Sequence, residues 1–79
     1  SDLLHDSKTT MNIAKTENDR VKIHDARTGN LKINISVGGQ IAGTAVVQDD
    51  SVIVPVRDGQ KIRTKVYDVR TGNLKINIP

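Results

Sequence analysis

Arg57, Lys61, Arg63 and Lys65 place four cations within nine residues, opposed only by Asp58, and make the densest positive run in the chain. Such a run would take an anionic partner: a polysaccharide, a nucleic acid or an acidic protein surface. Repetition in a symmetric assembly would strengthen the field. The simpler reading is protection of an exposed strand, because Lys and Arg at a sheet edge oppose pairing with another sheet. The aromatic platforms on which single-stranded nucleic acid stacks are also missing. Arg27 and Arg70 head two identical Arg-Thr-Gly-Asn tetrapeptides. A guanidinium beside a tight turn could grip phosphate or carboxylate, but Asp-x-x-Thr-Gly is also what a hairpin demands.

Other chemistry finds little support. His5 and His24 are the only histidines and there is no cysteine. A metal site would have to recruit Asp6 and Asp25, at a spacing that matches no zinc pattern. Ser7, Ser36 and Ser51 lack the Gly-x-Ser-x-Gly elbow of a serine nucleophile. Asp49 and Asp50 are neighbours in a turn, where alternation points them apart. Gly38-Gly39 neither extends to a dinucleotide fingerprint nor opens a helix, and Asn34-Ile35-Ser36 fits a glycosylation acceptor by letter only. No catalytic residue, cofactor or metal ligand is therefore expected.

The elements that must position these residues follow from a repeat. Residues 27–35 recur letter for letter at 70–78, a shift of 43. A shift of this size is the length of one small antiparallel sheet, so a repeat architecture takes precedence over a single-fold reading. Strict alternation predicts strands at 9–15 and 21–25, with Val21 and Ile23 on one face and Lys22 and His24 on the other. A short strand is expected in residues 1–8 around Leu3-Leu4. The return strand at 31–35 is expected to bury Leu31, Ile33 and Ile35. The second unit reads as strands at 43–48, 51–56, 62–69 and 74–78. Its run at 51–56 is apolar enough to be buried on both faces. Pro55 conflicts with that run, since proline gives no ladder N–H, and implies a free edge or a bulge there. No segment keeps helical spacing. The chain is read as all-β: two four-stranded antiparallel meanders, residues 1–36 and 37–79, together one structural unit.

Composition explains why such a unit would not stand alone. One Tyr, one Met, no Phe and no Trp leave Val, Ile, Leu and Ala to build the core, and no disulfide can staple it. The net charge of +3 is shared by both halves, with six bases and five acids in residues 1–36 and six bases and four acids in residues 37–79. No nucleic-acid tail is implied. No apolar run approaches a membrane span, and no signal-peptide pattern is seen, so a soluble chain with no membrane partner is expected.

The segments Val66-Tyr67-Asp68-Val69-Arg70-Thr71-Gly72 and Ile23-His24-Asp25-Ala26-Arg27-Thr28-Gly29 resemble the third strand and hairpin of WD-repeat and quinoprotein-like β-propeller blades. In those families an apolar residue, an aromatic, an Asp and a Thr-Gly turn follow in this order. Tyr67 and His24 stand where WD-repeats usually have Trp. The Gly-His pair of that family and the tryptophan-docking motifs of quinoprotein blades are both absent, so neither the family's His–Asp hydrogen-bond shell nor a quinone site is implied. A closed propeller needs about four to eight blades, and single repeat units cannot bury their own core. The resemblance therefore implies a homo-oligomer, with a six-bladed trimer favoured and a four-bladed dimer as the smaller alternative. A small sandwich or barrel is the competing arrangement within the fold class. The expected function is a non-enzymatic structural or interaction protein, for instance part of a phage virion or another large assembly, that self-assembles and presents repeated loops to a partner. The rival is a module binding a sugar or an anionic polymer through Arg57, Lys61, Arg63, Lys65, Arg27 and Arg70.

Overall fold

A computed structural model describes residues 11–79, and their regular structure is entirely β. The strands are β1 (Asn12–Glu17), β2 (Arg20–Asp25), β3 (Leu31–Ser36), β4 (Gln40–Ile41), β5 (Val46–Gln48), β6 (Ser51–Asp58), β7 (Lys61–Asp68) and β8 (Leu74–Ile78). They form two antiparallel sheets, one ordered β1-β2-β3 and one ordered β4-β6-β7-β8 with β5 also paired to β6. The strand expected in residues 1–8 and the first two residues of the one expected at 9–15 lie outside the described residues.

In the first sheet, Glu17 pairs with Arg20 across the turn at Asn18-Asp19, where Asn18 takes φ 50°. Asn tolerates this left-handed conformation better than most residues because its short polar side chain can hydrogen-bond locally. Ala14, Ile23 and Ile33 lie in one cross-strand row, and Val21 and Ile35 in the next. Partners directly opposite on antiparallel strands share a face. These residues therefore make up the inner face, with Val21, Ile23 and Ile35 buried.

A bulge changes the expectation for β3. Ile23 pairs with Ile33, but the next residue, His24, pairs with Leu31, leaving Lys32 as the extra residue. An unpaired residue shifts the alternation, so Leu31 leaves the face of Ile33 and Ile35. Leu31 is 53% exposed, not buried as simple alternation predicts. The second unit carries the same device: Val66 pairs with Ile76, Tyr67 with Leu74, and Lys75 is left over. Each leftover lysine is tied down locally, Lys32 Nζ donating to Asn12 Oδ1 and Lys75 Nζ to Ser51 Oγ.

The strand expected at 43–48 forms only at β5; a second short piece, β4, lies before its expected start and shares the same edge of β6, with a break between the two. Pro55 explains the break. Its carbonyl accepts from Ala42 N–H at 2.8 Å, so its backbone polar groups point to this edge, where a proline has no N–H to return. The neighbouring chain detours at Gly43, where an added Cβ would lie 3.1 Å from Pro55 Cγ. On the other side Pro55 lies opposite Thr64 without interrupting the β6–β7 pairing. The run at 51–56 is buried on one face only: Val52, Val54 and Val56 are fully enclosed, while Ile53 and Pro55 are half-buried.

The sheets stack front to back. The inner face of the first sheet is covered by the face of the second that carries Val52, Val54, Val56 and Tyr67, and all join a single core with Val37 and Val69. Tyr67 hydroxyl and Lys65 Nζ, both from this face, reach the Val37 carbonyl just beyond β3, at 3.4 and 2.9 Å. Position Gly72 in the second hairpin sits over Ile33 and Ile35. Full burial of one such aliphatic side chain contributes about 1.5–3 kcal/mol. With Val21, Ile23, Val37, Val52, Val54 and Val56 all fully enclosed, the shared interior is the main source of stability.

Candidate functional site

The two Arg-Thr-Gly-Asn hairpins are closed on themselves. In the first, Asp25 Oδ1 accepts from Arg27 N–H at 2.8 Å and Thr28 Oγ1 accepts from Asn30 N–H at 3.1 Å. The Asp25 carbonyl accepts from Gly29 N–H, and Ala26 N–H donates to Met11 carbonyl. The second hairpin repeats the scheme through Asp68, Thr71 and Gly72, with Val69 N–H donating to Asp50 carbonyl. Gly29 and Gly72 take φ 79° and 80°, the left-handed region that favours glycine. An anion would find few donors left in these turns. Arg27 is exposed, and Arg70 Nη2 lies 3.3 Å from Asp50 Oδ2 between two exposed side chains.

The positive run does not converge. Pairing puts Lys61, Arg63 and Lys65 on the face of β7 that looks toward the first sheet, and Arg57 on the opposite face of β6. Arg63 Nε is paired with Asp58 at 2.7 Å, and Lys65 is held by the Val37 carbonyl. Arg57 and Lys61 remain as exposed cations at the β6–β7 tip, beside the Gly59 turn. Spacing along a strand groups residues in sequence, whereas the period of two divides them between faces.

His24 occupies the register slot that Tyr67 fills in the other unit, each opposite a leucine across its bulge. His24 Nδ1 donates to Gly29 carbonyl at 3.1 Å, since a carbonyl can only accept. Burial pushes the Tyr67 phenol above its ordinary value. The Lys22 ammonium, 2.7 Å from Glu17, holds that carboxyl below its ordinary value by hydrogen bond and charge. Among the described residues no three His, Cys, Asp or Glu side chains gather to hold a metal ion. An open cleft between the units is lined by Met11, Asn12, Val47 and Asp49, with one titratable group among the four. It offers no acid–base pair.

What sequence reasoning left unlocated is the face that stays open. By register, the residues of the second sheet equivalent to the buried Val21, Ile23 and Ile35 and the half-buried Ile33 are Thr64, Val66, Ile78 and Ile76. In the first unit that face is covered; in the second it is open, with Val46, Ile62, Ile76 and Ile78 all 48–52% exposed. Ile53 belongs to it as well, opposite both Val46 and Val66. The other end of the stack is different in kind. The outer face of the first sheet carries Lys15 opposite Lys22 and Glu17 opposite Arg20, with Ile13 and Leu31 as its apolar members. A signal was present in the sequence, since 51–56 is apolar at odd and even positions alike. Compared with known proteins, the chain matches no family model, no curated protein and no solved structure.

Proposed function

We propose that this chain is a non-enzymatic, self-assembling structural module, built from blade-like sheets, that offers its hairpin loops to a partner. The observation carrying this reading is the open apolar face of the second sheet, whose counterpart in the first is buried under a neighbouring sheet. A contiguous apolar sheet face is a site of association, because leaving it in water forfeits the burial that drives packing. The front-to-back stacking with a repeated hairpin supports the propeller-blade resemblance, in which each unit is covered by the next. The self-satisfied turns and the divided basic run support a scaffold over an anion-binding module. Light scattering coupled to size exclusion tests this reading: the expected mass is a multiple of the 8.6 kDa chain. A single-chain mass throughout would refute it.

A further inference from the structure

We infer that the outer face of the second sheet docks on the same face of a second copy, giving a twofold dimer of four stacked sheets. This rests on the self-assembly reading and names its surface and geometry. The face is centred on Val46, Ile53, Ile62, Val66, Ile76 and Ile78, and its charged neighbours stand at the margins: Arg57 opposite Ile62 at the hairpin end, and Lys75 tied to Ser51. An apolar centre with a polar rim is the anatomy of a specific interface.

The choice of occupant follows from the other end of the stack. A ring or filament would need the outer face of a neighbour's first sheet to cover Ile76 and Ile78. Within the chain that role falls to Val52, Val54 and Val56, which lie opposite Tyr67, Lys65 and Arg63. The residues in the same places on the first sheet are Ile13, Lys15 and Glu17, opposite His24, Lys22 and Arg20. Two of the three valines are thus replaced by a lysine and a glutamate. Stacking there would strip water from Lys15 and from the Glu17–Lys22 pair, and desolvation of charge is costly unless every group finds a partner. Repeat arrays end on polar outer faces of this kind. The free apolar sheet face that a second copy presents, among its described residues, is therefore the same one. Joining like to like buries both and leaves the charged faces outward, as a self-complementary twofold contact does. The dimer is accordingly favoured over the trimer.

Sedimentation velocity across a wide concentration range tests the geometry with the full chain and two charge variants. Ile76→Lys is expected to abolish the dimer, while Leu31→Lys, at the opposite end of the stack, leaves it intact. Far-UV circular dichroism checks the fold of each; should Ile76→Lys unfold, Ile62→Lys reads the same face. The native chain has no cysteine, so single variants Ile53→Cys, Val66→Cys and Ile76→Cys provide a second measurement. These three lie in one cross-strand row across the middle of the face, so a twofold axis through that row sets one of them beside its own mate, and mild oxidation then yields a covalent dimer. Loss of assembly in Leu31→Lys but not in Ile76→Lys, or oligomers larger than a dimer, overturns the like-to-like geometry while self-assembly stands. A monomer at every concentration overturns both.

Discussion

Gly29 and Gly72 share sequence, turn and φ, yet differ in what surrounds them. An added Cβ at Gly29 meets nothing within 4 Å, whereas at Gly72 it falls 2.9 Å from Ile33 Cδ1. Gly29→Ala should therefore lose only the cost of a left-handed L-residue, about 1–2 kcal/mol. Gly72→Ala should lose at least as much, and Gly72→Val distinctly more, because its branched side chain must also displace Ile33. Urea melts of the three variants check the order, and an unchanged Gly72→Val midpoint would rule out the assigned turn. Tyr67 carries a second expectation at this scale. The fold favours its neutral phenol, so the native chain binds a proton that the unfolded chain releases above about pH 10. Stability from this group is intact below that value and falls as pH rises toward the raised native pKa. Tyr67→Phe should change stability by at most about 1 kcal/mol at neutral pH, given the long 3.4 Å bond to Val37. It should also resist alkaline unfolding better than the native chain; parallel alkaline curves for the two would contradict the assigned environment.

Strands set which residues can meet. Val54 and Ile53 are neighbours on β6 with opposite fates, one fully enclosed and the other half-buried on the outer face. Val54→Ala should cost about 2 kcal/mol through lost burial and the void it leaves. Ile53→Ala, although it removes a larger side chain, should cost less when measured in dilute solution. Chemical denaturation at low protein concentration reads the difference, and a reversal would mean that the faces of β6 have been exchanged. The repeated hairpins and the alternation of β2 were legible at this level because turn chemistry and period-two patterning are local. The bulges at Lys32 and Lys75 were not. A bulge depends on which residue across the ladder accepts the extra one, and Leu-Lys-Ile reads the same with or without it.

The core belongs to both sheets at once, since Val21, Ile23 and Ile35 from one and Val52, Val54 and Val56 from the other form one cluster. Neither sheet should survive alone. Unfolding followed by far-UV circular dichroism and by the fluorescence of Tyr67, which lies between the sheets, should give coincident transitions. Two separate transitions would show that the units fold independently. An isolated peptide of residues 11–39 should lack strand signal, because three strands with one uncovered face bury too little to offset their conformational entropy.

By itself the sequence determined that the chain is all-β, that it is duplicated and that its turns sit at Asp-x-x-Thr-Gly, because these depend on neighbours a few residues apart. It also marked Pro55 as a free edge or a bulge; β6 runs through Pro55, and the edge strand beside it is interrupted between β4 and β5. The tertiary structure alone decided how the two sheets share an interior, which cations are occupied and which apolar face is left open. Those outcomes depend on the pairing of distant residues: one shifted partner at a bulge, or one face turned toward a neighbour, decides whether an isoleucine is core or surface.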